Sequence, residues 1–303
     1  MKQSLKIGKL EWIDATAMKE EETIKLLQSY DFHELDIEAC LESNQHDRVD
    51  TYPKYLFIVM HFPKYNSRTQ SYEVNEFNVF IKKNLLITFK KNSITQIDKI
   101  FEKYSEVKKR KLGDFKLTPG YILYEIIQAM LEKMFKVNNN IKKDLREIEK
   151  TVFEKTSSGL VKQIMTKKRN IVVLKHMFLP QVSVLKSVEN KVNILFKGDM
   201  EVYFEDLEDK LDHVIKNIRI LEEYADNIED AFKSIIDIRT GNIITFLTIF
   251  SAFMLPLTFI TSLYGMNIPL PFENNPVLIY SIIAILAFAM VVGVTVWRKK
   301  GKF

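Results

Sequence analysis

The sequence predicts an α+β domain at the N-terminal end, then long helices, then two C-terminal helices that cross a membrane. Three observations carry that reading. β-Branched and aromatic runs of strand length cluster before residue 90, as in Tyr55 to Phe62, Glu76 to Ile81 and Leu85 to Phe89. From Tyr121 onward the apolar residues recur at helical spacing, punctuated by Gly159, Pro180 and Gly198. No Asp, Glu, Lys or Arg occurs between Arg239 and Glu273, or between Glu273 and Arg298, and both gaps are filled mainly with Ile, Leu, Phe, Val, Ala and Met.

The first domain covers residues 1–115. Lys82, Lys83 and Asn84 separate two of its strands and predict a hairpin. Asp14, followed by Glu20, Glu21 and Glu22, reads as a helix entrance with Ile24 and Leu27 on the apolar face. The basic run Lys108 to Lys111 reads as a solvated charge run, with a lipid or nucleic-acid contact as the alternative, and Gly113 and Pro119-Gly120 break the chain after it. Residues 116–241 form a stalk of three expected helices, 121–155, 160–195 and 202 onward. In the last, Leu207, Leu211, Val214, Ile218, Leu221, Ala225, Ile228, Phe232 and Ile235 alternate at spacings of four and three, which is a heptad seam. Packing within one subunit and packing between subunits both fit it. No Gly or Pro lies between Gly198 and Gly241, so this helix is expected to run straight into the first span.

A hydrocarbon core of about 30 Å needs roughly 20 apolar residues in a helix. Residues 242–263 and 277–297 meet that length. Between them, residues 264–276 contain Pro269, Pro271 and Pro276, which forbid a continuous helix. The tail, 298–303, is basic, whereas the connecting segment has Glu273 and no Lys or Arg, so both termini are expected in the cytoplasm of a cell whose plasma membrane holds the spans. Met1 to Leu10 is polar and has no signal-peptide core.

Composition excludes several functions. Lys+Arg 44 against Asp+Glu 39 gives a net charge of +5, but the two signs are interleaved, which argues against nucleic acid as a partner. The single cysteine, Cys40, excludes a disulfide framework and any multi-cysteine zinc site. His33, His46, His61, His176 and His213 lack ligand spacing, and there is no GxxxxGK[ST] or nucleophile-base pair, so no enzyme is expected.

Two spans enclose little by themselves, so transport requires several copies around an axis. Thr248, Ser251, Leu255, Thr258 and Ser262 share one face of the first span. That face suits a pathway lining, and it equally suits hydroxyls bonded to the preceding turn or packed on a neighbouring helix. Directly after the span come Gly265, Met266 and Asn267. Gly265 permits a tight turn, and Asn267 offers a neutral oxygen that symmetry would repeat as a ring, while an Asn just past a span also suits a plain helix terminator. Such a ring suits Mg²⁺, which binds oxygen and dehydrates reluctantly.

The stretch from Phe253 to Asn267, reading FMLPLTFITSLYGMN and followed by one more span and a basic tail, closely resembles the CorA family of magnesium transporters. Tyr55 to Val59, Phe80 to Phe89, Tyr121 to Glu125 and Tyr203 to Asp206 resemble further landmarks of that family in the same order. The resemblance implies a homopentameric, funnel-shaped channel that carries Mg²⁺ and is gated by intracellular Mg²⁺ at subunit interfaces. It implies a selectivity motif at Gly265, Met266 and Asn267, and a pore lined by Gly241, Ile244, Leu247, Thr248, Ser251, Leu255 and Thr258. Glu273 would draw cations to the outer mouth.

Two positions depart from the family pattern. Gly241 stands where the family often has an asparagine, with Asn242 beside it. The family's regulatory carboxylates are matched by Asp206 on the long helix and by the pair Glu38-Ala39, where an aspartate is missing. A regulatory metal would then draw on Asp206, Glu38, Glu205 and Asp209, all of which also suit a plain solvated surface. Other readings of the same architecture are a proton-coupled transporter of Zn²⁺ or another divalent ion, with Co²⁺ and Ni²⁺ as further cargo for the channel, and a membrane-anchored scaffold that transports nothing.

Overall fold

The computed structural model describes residues 2–42, 45–109, 117–154, 158–196, 200–269, 271 and 275–299. The chain divides into two compact units, Met1–Ile228 and Glu229–Phe303.

The first unit is built on a six-stranded sheet of order β1-β2-β6-β5-β4-β3. Its strands are β1 (Lys2–Ile7), β2 (Leu10–Thr16), β3 (Arg48–Thr51), β4 (Leu56–Asn66), β5 (Ser71–Lys82) and β6 (Leu85–Lys90). All neighbours are antiparallel except β2 and β6, which run parallel with Glu11 opposite Leu85. Lys82 pairs with Leu85, so the expected hairpin closes through Lys83 and Asn84. Every residue of β6, and β4 from Leu56 to Phe62, is buried. Helices cover both faces, so these strands read as continuous apolar runs rather than alternating ones.

On one face lie α1 (Glu20–Gln28) and α2 (Glu34–Leu41), whose Leu27, Ile37 and Ala39 pack with Phe57, Phe80 and Ile87 of the sheet. Asp36 is 1% exposed and takes hydrogen bonds from the hydroxyls of Tyr52 and Tyr55, which fixes α2 on the sheet. On the other face, α3 (Thr95–Lys109) sets Phe101 edge-on to Trp12, with ring centroids 4.9 Å apart. There α4 (Pro119–Glu154), α5 (Ser158–Phe178) and α6 (Gln181–Phe196) also meet the sheet.

Three expectations change. Asp14 is no helix entrance. It lies inside β2, 3% exposed, 2.9 Å from the Lys90 ammonium and bonded by Thr88. Helix α1 starts at Glu20 without a side-chain cap, helped by its three glutamates near the positive end of the helix dipole. The helix expected over 160–195 is two helices, because Pro180 has no N–H to continue the ladder and its ring clashes with the preceding turn. Gln181 restarts the chain fully buried, with its amide on the His61 carbonyl. The strands β1, β2 and β3 are additions to those read from the sequence.

The long helix α7 spans Glu201–Tyr264, and α8 spans Pro276–Lys299. Within the first unit, the seam Leu207, Leu211, Val214, Ile218, Leu221, Ala225 and Ile228 is buried in a single subunit. Asn138 of α4 reaches the Val214 carbonyl, and Lys175 of α5 pairs with Glu222 at 2.7 Å. The seam is therefore core packing of one chain. The stretch Gly159–Val192 is also long and apolar enough to cross a membrane, but Leu160, Ile164, Ile171, Leu174, Val184, Leu185 and Val188 are buried inside the unit.

Candidate ion-conduction site

In the second unit the apolar composition of α7 and α8 finds little cover in one subunit. Ile244, Leu247, Leu255 and Phe259 are all more than half exposed. Within residues 242–262 the partly covered positions are Asn242, Ile249, Phe253, Leu257 and Ile260, which form one stripe at helical spacing. Phe253 identifies what that stripe faces, since a Cβ added at Gly293 of α8 would lie 3.0 Å from its Cζ. At 3.6 residues per turn, Thr248, Ser251, Leu255, Thr258 and Ser262 fall on the opposite side of α7. The polar stripe points away from α8, with Ile244 beside it, and every one of its side chains is exposed. Leu247, also exposed, lies at its margin. Asn242 belongs to the α8 side, so it does not fill the place of the missing side chain at Gly241, where an added Cβ would meet nothing within 4 Å.

The hydroxyl geometry adds chemistry. Thr248 donates to the Ile244 carbonyl at 2.9 Å and Thr258 to the Met254 carbonyl at 2.9 Å. A hydroxyl has one donor and two acceptor positions, so these two, with the donor spent on their own helix, present acceptors outward. That polarity fits the outward-pointing hydrogens of water around a cation. Pro256 sits within the helix, which continues through it and leaves the Ala252 carbonyl without its usual N–H partner.

At Tyr264 the helix ends. The Gly265 N–H reaches the Thr261 carbonyl at 3.1 Å and the Ser262 carbonyl at 3.2 Å. A Cβ there would stand 3.2 Å from the Thr261 oxygen, so any side chain at this position would press on the backbone of the last helical turn. The Tyr264 hydroxyl donates to the Pro271 carbonyl at 3.1 Å and ties the following segment back. Met266 and Asn267 are exposed beyond the helix end. Glu273 lies outside the described residues.

The acidic positions read from the sequence lie in the first unit. Glu38, Glu205 and Asp209 are exposed, and Ala39 is 3% exposed in the core beneath α2. Asp206 is engaged within its own subunit: Lys210 stands 2.6 Å from its Oδ2, and the Tyr124 hydroxyl donates to the same oxygen at 3.0 Å. Among the described residues, no three His, Cys, Asp or Glu side chains come together as a metal-binding group. The Lys210 contact was readable as an i,i+4 pair, whereas the Tyr124 contact joins residues 82 apart in sequence. Also new is Glu208, which faces Glu189 of α6. Burial first, and then the hydrogen bond and charge of Glu189, push its carboxyl up to about 7.

A sheet domain feeds a long helix that ends in a polar-faced apolar segment, a second apolar helix follows it, and both apolar segments are long enough to cross a membrane. A family model of CorA-like Mg²⁺ transporter proteins matches residues 8–300, and the chain belongs to that family, whose members are transporters and not enzymes. Its relatives include a cobalt/magnesium transport protein CorA of Thermotoga maritima, 25% identical over 95% of this chain and 82% of that protein. The zinc transport protein ZntB of Photorhabdus laumondii is 20% identical over 75% of this chain and 67% of its own length. The complete structure of the CorA magnesium transporter from Methanocaldococcus jannaschii superposes with a TM-score of 0.83 at 22% identity, covering 99% of this chain and 94% of that one.

Proposed function

We propose that this divalent-cation transporter is a passive channel that admits hydrated Mg²⁺, and with it Co²⁺ or Ni²⁺, through the axis of a homopentamer in the plasma membrane, with both termini cytoplasmic. The observation that carries the reading is the exposed stripe of α7, opposite α8 and leading to Gly265, Met266 and Asn267. Repeated around an axis, the stripe supplies rings of outward-facing acceptors at Thr248 and Thr258, with Ser251, Leu255, Ile244, Leu247 and Gly241 completing the lining. Asn267 supplies a neutral amide at the mouth. Neutral acceptors hold the ion's water shell without trapping a divalent charge too tightly to leave. Glu273 adds a charge that raises the local cation concentration. Lipid covers the outer surface of α8.

Gating by intracellular Mg²⁺ is the second part of the proposal. Ions shared between neighbouring copies hold them together, and their loss leaves carboxylates that repel and shift the population toward the open state. Because Ala39 is core and Asp206 is engaged by Lys210 and Tyr124, the exposed Glu38, Glu205 and Asp209 carry more of that role here, and the response to Mg²⁺ is weaker than two free aspartates would give.

A proton-coupled Zn²⁺ transporter is the reading to test against, since a zinc transport protein is among the relatives. No ionisable Asp, Glu, Lys or Arg lies within either span to carry the proton. The test is ion uptake into liposomes holding the purified protein, with and without Asn267→Ala and with and without a proton gradient. Mg²⁺ uptake that falls at least about tenfold in the variant, the effect of losing about 1.4 kcal/mol of stabilisation, and ignores the gradient supports the channel. Zn²⁺ uptake that follows the gradient replaces it with the coupled transporter, and no flux of any ion leaves a membrane-anchored scaffold.

A further inference from the structure

The sheet of the first unit gathers positive charge at one end, well apart in sequence from the ion-conduction residues. The parallel register of Glu11 with Leu85 and the antiparallel register of Leu56 with Ile81 bring three connections to that end: the β1–β2 turn, the β5–β6 turn and the segment entering β4. These carry Lys9, Lys83 and Lys54, with Lys82 closing β5. All four lysines line one open cavity of about 600 Å³, together with Glu11 and Tyr30.

The charges in this cavity are unbalanced. Glu11, the one carboxylate among the lining residues, is shared with Lys6 at 3.4 Å and with the Tyr30 phenol, and offsets at most one of the four lysine charges. Among the described residues, no carboxylate pairs with Lys9, Lys54 or Lys83, which are exposed. Lys82 is half-buried, donates to the Tyr30 carbonyl and lies 4.5 Å from the Phe32 ring centroid. Burial, with Lys54 adding to it and Asp31 opposing, lowers its pKa. Lys82 is thus a fixed ammonium on carbonyl and aromatic partners, with three mobile ammoniums around it. Bringing four like charges to one concavity costs electrostatic energy that a multiply charged anion would return.

We propose that this cavity binds a soluble polyphosphate of triphosphate length, as in a nucleoside triphosphate. Lysine ammoniums suit phosphate oxygens as point charges without the fixed geometry that arginine requires. A volume of about 600 Å³ falls within the range of small-molecule sites. The aromatic and apolar wall of Tyr30, Pro53 and Leu85 offers a surface to a nucleoside beside the phosphates.

The test is calorimetric titration of the full-length protein in neutral detergent, in Mg²⁺-free buffer, with tripolyphosphate, ATP and adenosine. Separate binding to nanodiscs containing phosphatidylglycerol serves as the lipid arm. Lys54→Ala and Lys83→Ala change exposed side chains and leave Lys82 in its packed place. Each is expected to weaken tripolyphosphate and ATP binding about fivefold, the effect of losing about 1 kcal/mol from an exposed ion pair, and the double variant more. ATP binding tighter than tripolyphosphate would support the nucleoside wall as well. Absence of tripolyphosphate and ATP binding, binding equal in wild type and double variant, or binding to the anionic nanodiscs alone would each overturn the proposal.

Discussion

Lys210 places an ammonium one turn along α7 from Asp206, where the proposed regulation would place a shared ion. The two positive charges compete for one carboxylate, and a tethered one is always present. Exposed i,i+4 pairs are worth less than about 1 kcal/mol, so the competition is real but modest. Replacing Lys210 with Met keeps the stem that covers α7 and removes the charge. Under the proposed regulation, the Mg²⁺ concentration that half-inhibits Mg²⁺ uptake is expected to fall by up to about fivefold in liposome flux measurements. No change would mean that Asp206 takes no part in sensing. Glu208 makes a second prediction at this scale. Its carboxyl is pushed up to about 7 by burial and by Glu189, so folding favours the protonated form. Its stabilising contribution is complete below the ordinary carboxylate value of 4.5 and is lost as pH rises through about 7. Glu208→Gln is neutral throughout, so its thermal midpoint is expected to exceed that of wild type at about pH 8 and to match it near pH 4.5. A midpoint that tracks wild type across that range would show that the pair is not under strain.

At the scale of elements, what could be read from the sequence depended on how each segment meets solvent. The central strands β4 and β6 are covered on both faces, so their composition announced them. Strand β1 buries only Leu5, and β3, at the opposite edge, has no buried residue, so both look like loop in sequence. Pro180 marks the break in the sequence, but the contact that seats the restarted helix, Gln181 on the His61 carbonyl, joins residues 120 apart and leaves no local pattern. The polar stripe of α7 was visible from spacing alone, whereas its orientation away from α8 needed the meeting of Phe253 with Gly293. That meeting yields a prediction. An added Cβ at Gly293 already crowds the ring edge at 3.0 Å, so Gly293→Leu must displace Phe253 or separate the two helices. Overpacking of this kind costs about 1–3 kcal/mol. The expected outcome is a lower thermal midpoint and reduced Mg²⁺ uptake, with Gly293→Ala intermediate. Unchanged stability in the leucine variant would mean that α7 and α8 do not pack through this contact.

At the scale of the whole molecule, the first unit buries its heptad seam within one chain, and the second leaves its candidate pathway residues open. The proposed association therefore calls on surfaces other than the seam, and the copy number is not written in the periodicity of one helix, because symmetry is a property of how surfaces meet. The proposal that the stripe faces an axis can be tested through chemistry the chain otherwise lacks. Its one cysteine, Cys40, is 8% exposed, and burial raises its thiol well above the usual value, which keeps it protonated and unreactive. A cysteine introduced elsewhere is then the only reactive thiol. Leu255→Cys lies on the polar side and Phe253→Cys on the α8 side, two residues and so only about 3 Å apart along the helix axis. A short bifunctional maleimide applied to membranes is expected to join Leu255→Cys subunits into dimers at a yield independent of expression level, and to leave Phe253→Cys monomeric on a denaturing gel. Light scattering of the uncross-linked complex then gives the number of copies that share the axis. Dimers from Phe253→Cys but not from Leu255→Cys would put the polar stripe against lipid and remove the pathway from the centre of the assembly.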